Sequence, residues 1–295
     1  MSNIKNFNNM LNNSVKNHNE QNVEYRNQIS TFINDIISSN TDLRTCCVIG
    51  AGKLNDIPLA SLNKAFNEIL LTDIDIQSTI KSLNNSLPKI RFKEVEYTGF
   101  EAFGFFDDFI KIKDLKTNTA IETFIQTKMK EIESYKFMTD SREYYDFIYI
   151  SPIYTQLIYN QVLLECSKLR KENHTEHLIA FIEQEMLNQM MGVIHRFNAN
   201  ISEIAKQSGI IMVLSDIFEY QIGSPFGRKI EAASSSTKEM DKIHSAYINQ
   251  YGMGLGDYGL YSMSEICHLE SSKWLIWPLI KNKHFVVKCN IYKKK

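Results

Sequence analysis

Five short apolar runs, separated by stretches of helical period or by turn residues, constrain this chain more than any other feature. They are "RTCCVIGAG", "NEILLTDID", "KIRFKEVEY", "YDFIYIS" and "GIIMVLSDIF". Runs of this length read as strands, and near-continuous apolarity marks strands buried on both faces. Helical period recurs between and around them, in "VEYRNQISTFINDIIS", "IPLASLNKAF", "TAIETFIQTKMKEIESY" and a long stretch from about 155 to 207. Strands alternating with helices require a parallel sheet covered on both faces, with right-handed connections. "KWLIWPLI", the turn "KNK" and "HFVVKCNIYK" close the chain as a hairpin, which adds one antiparallel strand. The expectation is an α/β fold of three layers, with a mainly parallel seven-stranded sheet and a C-terminal antiparallel hairpin.

No internal repeat is visible, so residues 41–295 read as one domain behind an N-terminal helical cap at 1–40. Within the cap, residues 1 to about 22 are asparagine-rich and weakly apolar, a frayed or partly helical lead-in. A lid insertion is expected at about 219–272, where the glycine- and tyrosine-rich "YGMGLGDYGLYS" reads as a long loop.

Composition narrows the class. Apolar residues make up 43% and charged residues 23%, the range of a soluble globular protein. No apolar run approaches about 18 residues, so no membrane span is expected. The start of the chain lacks a basic-then-apolar signal pattern, and the reducing cytoplasm is the expected compartment. Five cysteines without a C-x-x-C pair argue against a disulfide framework or a structural zinc site, and no bound metal is expected. Cys46 and Cys47 are strand neighbours and should face opposite sides of the sheet as core residues. His174 and His177 in "ENHTEH" lack a third ligand nearby and read as an exposed helical turn. The formal net charge of −1 disfavours a nucleic-acid partner, whose phosphates select a basic surface.

In an open parallel sheet, ligands bind beyond the carboxyl ends of the strands, where strand order reverses. Three strand ends carry suitable chemistry. Gly50 and Gly52 allow a turn without a Cβ and a close backbone approach to a ligand. Asp73 ends the second run about 20 residues later, the offset at which an acid reaches a ribose in such folds. Asp75 lies on the same side of an extended chain and is the alternative. "SPIY" ends the fourth run, Pro152 stopping the strand. A dinucleotide fingerprint would need a third glycine at position 55, which is asparagine, and "GAGKLND" lacks the hydroxyl and glycine spacing of a phosphate loop. A ligand with ribose and adenine but no phosphate is what remains.

At this point the chain resembles the class I S-adenosylmethionine-dependent methyltransferases, which are Rossmann-like. "VIGAGKLNDIPL" resembles their first motif, "ILLTDID" the second, "DFIYIS" the fourth strand, and the hairpin their sixth and seventh strands. The resemblance spans roughly residues 40 to 295. It implies a methyltransferase using S-adenosylmethionine, with Gly50, Ala51 and Gly52 against the methionine part and Asp73 on the ribose. Ile74 would lie along the adenine and the segment "YTGF", with Thr98, near its exocyclic edge, while Ser151 completes the cofactor set. Val48 stands where the family often has an acid. "SPIY" is similar to the Asn/Asp/Ser-Pro-Pro-Tyr signature of amino-methylating enzymes, from which Ile153 departs.

No Ser-His-Asp order or paired-carboxylate motif stands out, and no catalytic residue is assigned. That fits methyl transfer, where a sulfonium already activates the methyl group and alignment carries much of the catalysis. Tyr154 and Gln156 are the expected acceptor contacts. Tyr149, Tyr154, Tyr251, Tyr258 and Tyr261 would suit a small, partly apolar or planar acceptor under a closing lid. Two other readings stay open: a non-catalytic Rossmann-like module, and an aminopropyl or aminocarboxypropyl transferase on the same scaffold.

Overall fold

The computed structural model describes residues 3–14, 22–40, 42–83, 87–172, 174–280 and 282–295. Seven strands form one sheet: β1 Thr45–Ile49, β2 Glu68–Asp73, β3 Ile90–Glu94, β4 Tyr145–Ile150, β5 Ala205–Gln221, β6 Cys267–Ile280 and β7 Lys283–Lys294. Their order is β3-β2-β1-β4-β5-β7-β6. The first five pair in parallel, and β7 runs antiparallel between β5 and β6. With helices on both faces, this is the three-layer Rossmann-like α/β fold.

Eleven α-helices occur among the described residues. Three short ones follow the first strands or the β3 loop: α3 Leu59–Ala65, α4 Ile76–Ser82 and α5 Phe105–Phe109. The others are α1 Asn3–Ser14, α2 Val23–Ser38, α6 Asn118–Ile132, α7 Tyr159–Lys171, α8 Glu176–Ile204, α9 Pro225–Ala233, α10 Thr237–Tyr251 and α11 Leu255–Ile266.

Strand alternation divides the core. Cys47, Ile49, Ile148 and Ile150 point into one apolar cluster with α5 to α8 and α11. Cys46, Val48, Phe147 and Tyr149 point into the other with α2 and α3. Both cysteines are fully buried, on opposite faces.

Three sequence expectations change in detail. The long helical stretch is two helices, parted where "ENHTEH" offers no apolar face; Arg170 spans the break to Glu176 and Glu183. The lead-in is helical from Asn3 to Ser14, with Ile4 and Phe7 buried, while residues 1, 2 and 15–21 of it lie outside the described residues. "YGMGLGDYGLYS" is not a loop beyond its first residues: α11 begins at Leu255. Two of its four glycines, Gly256 and Gly259, are there for close packing. A Cβ on Gly256 would stand 2.3 Å from the Asp216 carbonyl oxygen, and one on Gly259 2.3 Å from the Tyr154 ring.

Candidate functional site

The strand order reverses between β1 and β4: the connections from β1 build outward through β2 and β3, and the chain then crosses to β4 on the other side. A cavity of about 220 Å³ opens there, beyond the carboxyl ends of these strands.

The loop after β1 forms one wall. Gly50 (φ +74°) and Gly52 (φ +48°) both take left-handed backbone, which favours glycine. Gly50 N–H donates to the Tyr97 hydroxyl at 3.1 Å, and that hydroxyl also pairs with Thr72 Oγ1 at 2.9 Å. Gly52 N–H donates to Asp73 Oδ2 at 2.9 Å, while Asp75 N–H donates to Asp73 Oδ1 at 2.8 Å. Asp73 therefore joins the β1 loop to the start of α4, and Thr79 Oγ1 reinforces the join by donating to the Gly52 carbonyl at 2.7 Å. Leu54 is also left-handed, at φ +62°, an uncommon conformation for a bulky residue.

Burial pushes the Asp73 carboxyl up from the usual range, opposed by its backbone N–H donors. Glu96, beyond β3, behaves alike: burial raises it, while Thr98 and the Gly99 N–H stabilise its charged form. Asp56, on the β1 loop, is pushed by burial up to about 6, with the nearby Arg26 charge pulling the other way. Asp56, Asp73 and Glu96 face one lysine, Lys53, among the charged residues that line the cavity.

Of the residues singled out from sequence, Gly50, Gly52, Asp73, Ile74, Thr98, Ser151 and Gln156 line the cavity together. Ala51 does not. It is buried behind the wall, where its N–H donates to the Thr72 carbonyl and its own carbonyl accepts from Leu54. Tyr154 does not either: its ring is fully buried, and its hydroxyl donates to Asn198 Oδ1 at 2.8 Å. With Tyr154 turned into the core, the likeness of "SPIY" to an amino-methylating signature has no counterpart in the cavity. None of the five tyrosines expected around the acceptor is a lining residue. Tyr149 is core, while Tyr251 and Tyr261 are exposed.

The segment 219–272 contributes no lining residue; α9 and α10 instead bury Ile230, Met240 and Ile243 against Phe218, Tyr220 and Trp274. The cavity is flanked from elsewhere. Ile4 and Asn8 of α1 line it, and the Ile4 N–H is held by Glu101 Oε2 at 2.8 Å. Trp277 of β6 and Asp56, Glu96 and Tyr97 also line it and were missed by strand-end reasoning. Glu96 and Tyr97 were within reach of it, because they end the third apolar run. Trp277 was not, since only the β6–β7–β5 pairing carries it there.

Among the described residues no three His, Cys, Asp or Glu side chains group as metal ligands, and no helix is long and apolar enough to cross a membrane.

No protein-family profile and no curated protein matches the chain. Solved structures do. The N-methyltransferase NodS from Bradyrhizobium japonicum is 9% identical, with 93% of this chain and 99% of that chain covered and a TM-score of 0.40. A SAM-dependent methyltransferase from Methanosarcina mazei is 9% identical over 88% and 96% of the two chains, TM-score 0.40. One from Aquifex aeolicus is 10% identical over 86% and 88%, TM-score 0.35.

Proposed function

We propose that this protein is an S-adenosylmethionine-dependent methyltransferase whose cofactor occupies the cavity at the β1–β4 switch point and whose acceptor is a small molecule. The observation that carries the reading is Asp73. Each of its oxygens accepts one backbone N–H, which fixes the carboxylate at the cavity wall. A carboxylate offers about four acceptor sites, so capacity remains for a pair of ribose hydroxyls.

Three further features fit the same ligand. A Cβ on Gly52 would meet nothing within 4 Å, so at this lining position the backbone leaves room for close approach. Ser151 Oγ is buried at the wall without a hydrogen-bond partner among the described residues. Ile74 adds an apolar surface beside Asp73 for a planar base. When bound, the cofactor supplies a methyl group made electrophilic by its sulfonium. The protein's part is to hold, orient and exclude water. The three lining carboxylates disfavour a polyanionic acceptor such as a nucleic acid.

Calorimetric titration of wild type and Gly52→Ala with S-adenosylmethionine and S-adenosylhomocysteine tests the site. Wild type is expected to bind both. The added methyl group should weaken binding by about tenfold or more while costing only about 1 kcal/mol of stability for the left-handed backbone. Absence of binding by wild type, or equal affinity in the variant, refutes the assignment. Incubation with cell extract and cofactor should release S-adenosylhomocysteine. Methylthioadenosine would instead indicate an alkyl transferase, and no product a binding module.

A further inference from the structure

We propose, building on the cofactor reading above, that the acceptor carries an amine, and that Asp56 is the carboxylate that holds it as the ammonium ion, a binding contact at a nitrogen that has no lone pair and so is not the methylated atom. The three carboxylates at the cavity differ in how they are engaged. Asp73 accepts from Gly52 and Asp75, and Glu96 from Thr98 and Gly99. Asp56 has only its own backbone N–H as a hydrogen-bond donor among the described residues, and Arg26 acts on it through charge. The Arg26 guanidinium itself donates to the neighbouring Asn55 carbonyl at 2.5 Å. The Asp56 carboxylate thus remains open to a ligand in the cavity that Trp277 also lines.

Its surroundings favour a cation with an apolar body. Trp277 lines the cavity and stacks on Tyr25, centroids 5.5 Å apart and planes 12° from parallel. Trp277 Nε1 and the hydroxyls of Tyr25 and Tyr149 are buried without a hydrogen-bond partner among the described residues. Both tyrosines are close enough to Asp56 for its charge to oppose their ionisation. A carboxylate held in so enclosed a wall costs desolvation, and an opposite charge on the ligand offsets that cost. An aromatic face adds attraction for an ammonium ion. An anionic acceptor would meet three lining carboxylates against Lys53, and a neutral alcohol would add nothing to the partial compensation that Arg26 gives Asp56.

The test is calorimetry on protein saturated with S-adenosylhomocysteine. The probes are phenethylamine and hexylamine, each against its matched alcohol and carboxylate: phenethyl alcohol with hydrocinnamate, hexanol with hexanoate. At least one amine is expected to bind about tenfold or more tightly than its alcohol, with no binding of the carboxylates. Asp56→Asn should lower that amine affinity by about tenfold or more and leave S-adenosylhomocysteine affinity within about twofold, which also shows the variant to be folded. If S-adenosylhomocysteine does not bind wild type, the cofactor reading fails and this proposal with it. If it binds, but amines do not, or bind no better than alcohols, or are indifferent to Asp56→Asn, the amine assignment alone is overturned.

Discussion

Replacing Asp73 with asparagine separates its role in organising the loop from its role toward a ligand. Asparagine has nearly the same shape but only one acceptor oxygen. In the native protein one carboxylate oxygen takes the Gly52 N–H at 2.9 Å and the other the Asp75 N–H at 2.8 Å. In the variant the side-chain NH2 must face one of these donors, leaving a buried N–H unpaired at a cost of about 1–3 kcal/mol. One effect opposes this. Burial raises the pKa of Asp73, so removing the charge returns some free energy. That return is only what remains after two N–H bonds have already offset desolvation, whereas nothing offsets the orphaned donor. The expected net loss is about 1–2 kcal/mol, read at pH 7 as a lower urea midpoint with unchanged slope. Loss of the charge should also weaken S-adenosylmethionine binding by about tenfold or more, since hydrogen bonds to charged groups are worth about 1.5–3 kcal/mol. A variant with the wild-type urea midpoint and wild-type affinity would refute both roles.

Other perturbations probe the parts that hold the site. Gly259→Ala should destabilise although it lies within α11: the helix gains about 1 kcal/mol from alanine, but a Cβ 2.3 Å from the fully buried Tyr154 ring makes overpacking, at about 1–3 kcal/mol or more, the larger effect. An unchanged or higher melting temperature would show that α11 can shift away. Tyr97→Phe removes the acceptor of the Gly50 N–H and should cost about 1–3 kcal/mol, measured by urea unfolding. Asp216 is raised by burial to about 6, above the ordinary aspartate value, so its neutral form favours folding: that contribution is whole below about pH 4 and is lost as pH rises through about 6. Asp216→Asn should therefore be more stable than wild type at pH 8, with the advantage shrinking toward pH 4; a pH-independent difference would contradict the shift.

Much of this architecture is legible locally. A strand buried on both faces must be apolar throughout, so β1, β2, β4 and the centre of β5 announce themselves. Gly50, Gly52 and Asp73 follow because each ends such a run, and chemistry at a strand end depends on few tertiary facts. Trp277, Asp56 and Ile4 do not follow. Their places depend on the register of the hairpin, the path of the loop after Gly52 and the docking of α1, none of which leaves a periodic trace. Tyr154 is the opposite case. It stands four residues past the strand end, but a 3-10 turn over Tyr154–Gln156 directs it into the core and leaves Gln156 at the cavity. The glycines of α11 mislead for a related reason. Composition reads them as loop, while Gly256 and Gly259 are a helix face pressed against β5 and Tyr154.

The helices between β5 and β6 answer a need created by the sheet itself. β4 makes its last pairing with β5 at Ile150–Val213, yet β5 continues to Gln221, still paired to β7. This overhang carries Phe218 and Tyr220 past the layers that cover the rest of the sheet, and α9 and α10 bury it together with Trp274 and Val286. Burial of this strand surface gives the insertion a structural role. It is nevertheless joined to the site. The overhang contains the bulge between Asp216 and Phe218, and Asp216 accepts a hydrogen bond from Thr155, the residue beside Gln156, at 3.0 Å. A change in the packing of the overhang would reach the cavity through that bond and through the contact of Gly259 with Tyr154.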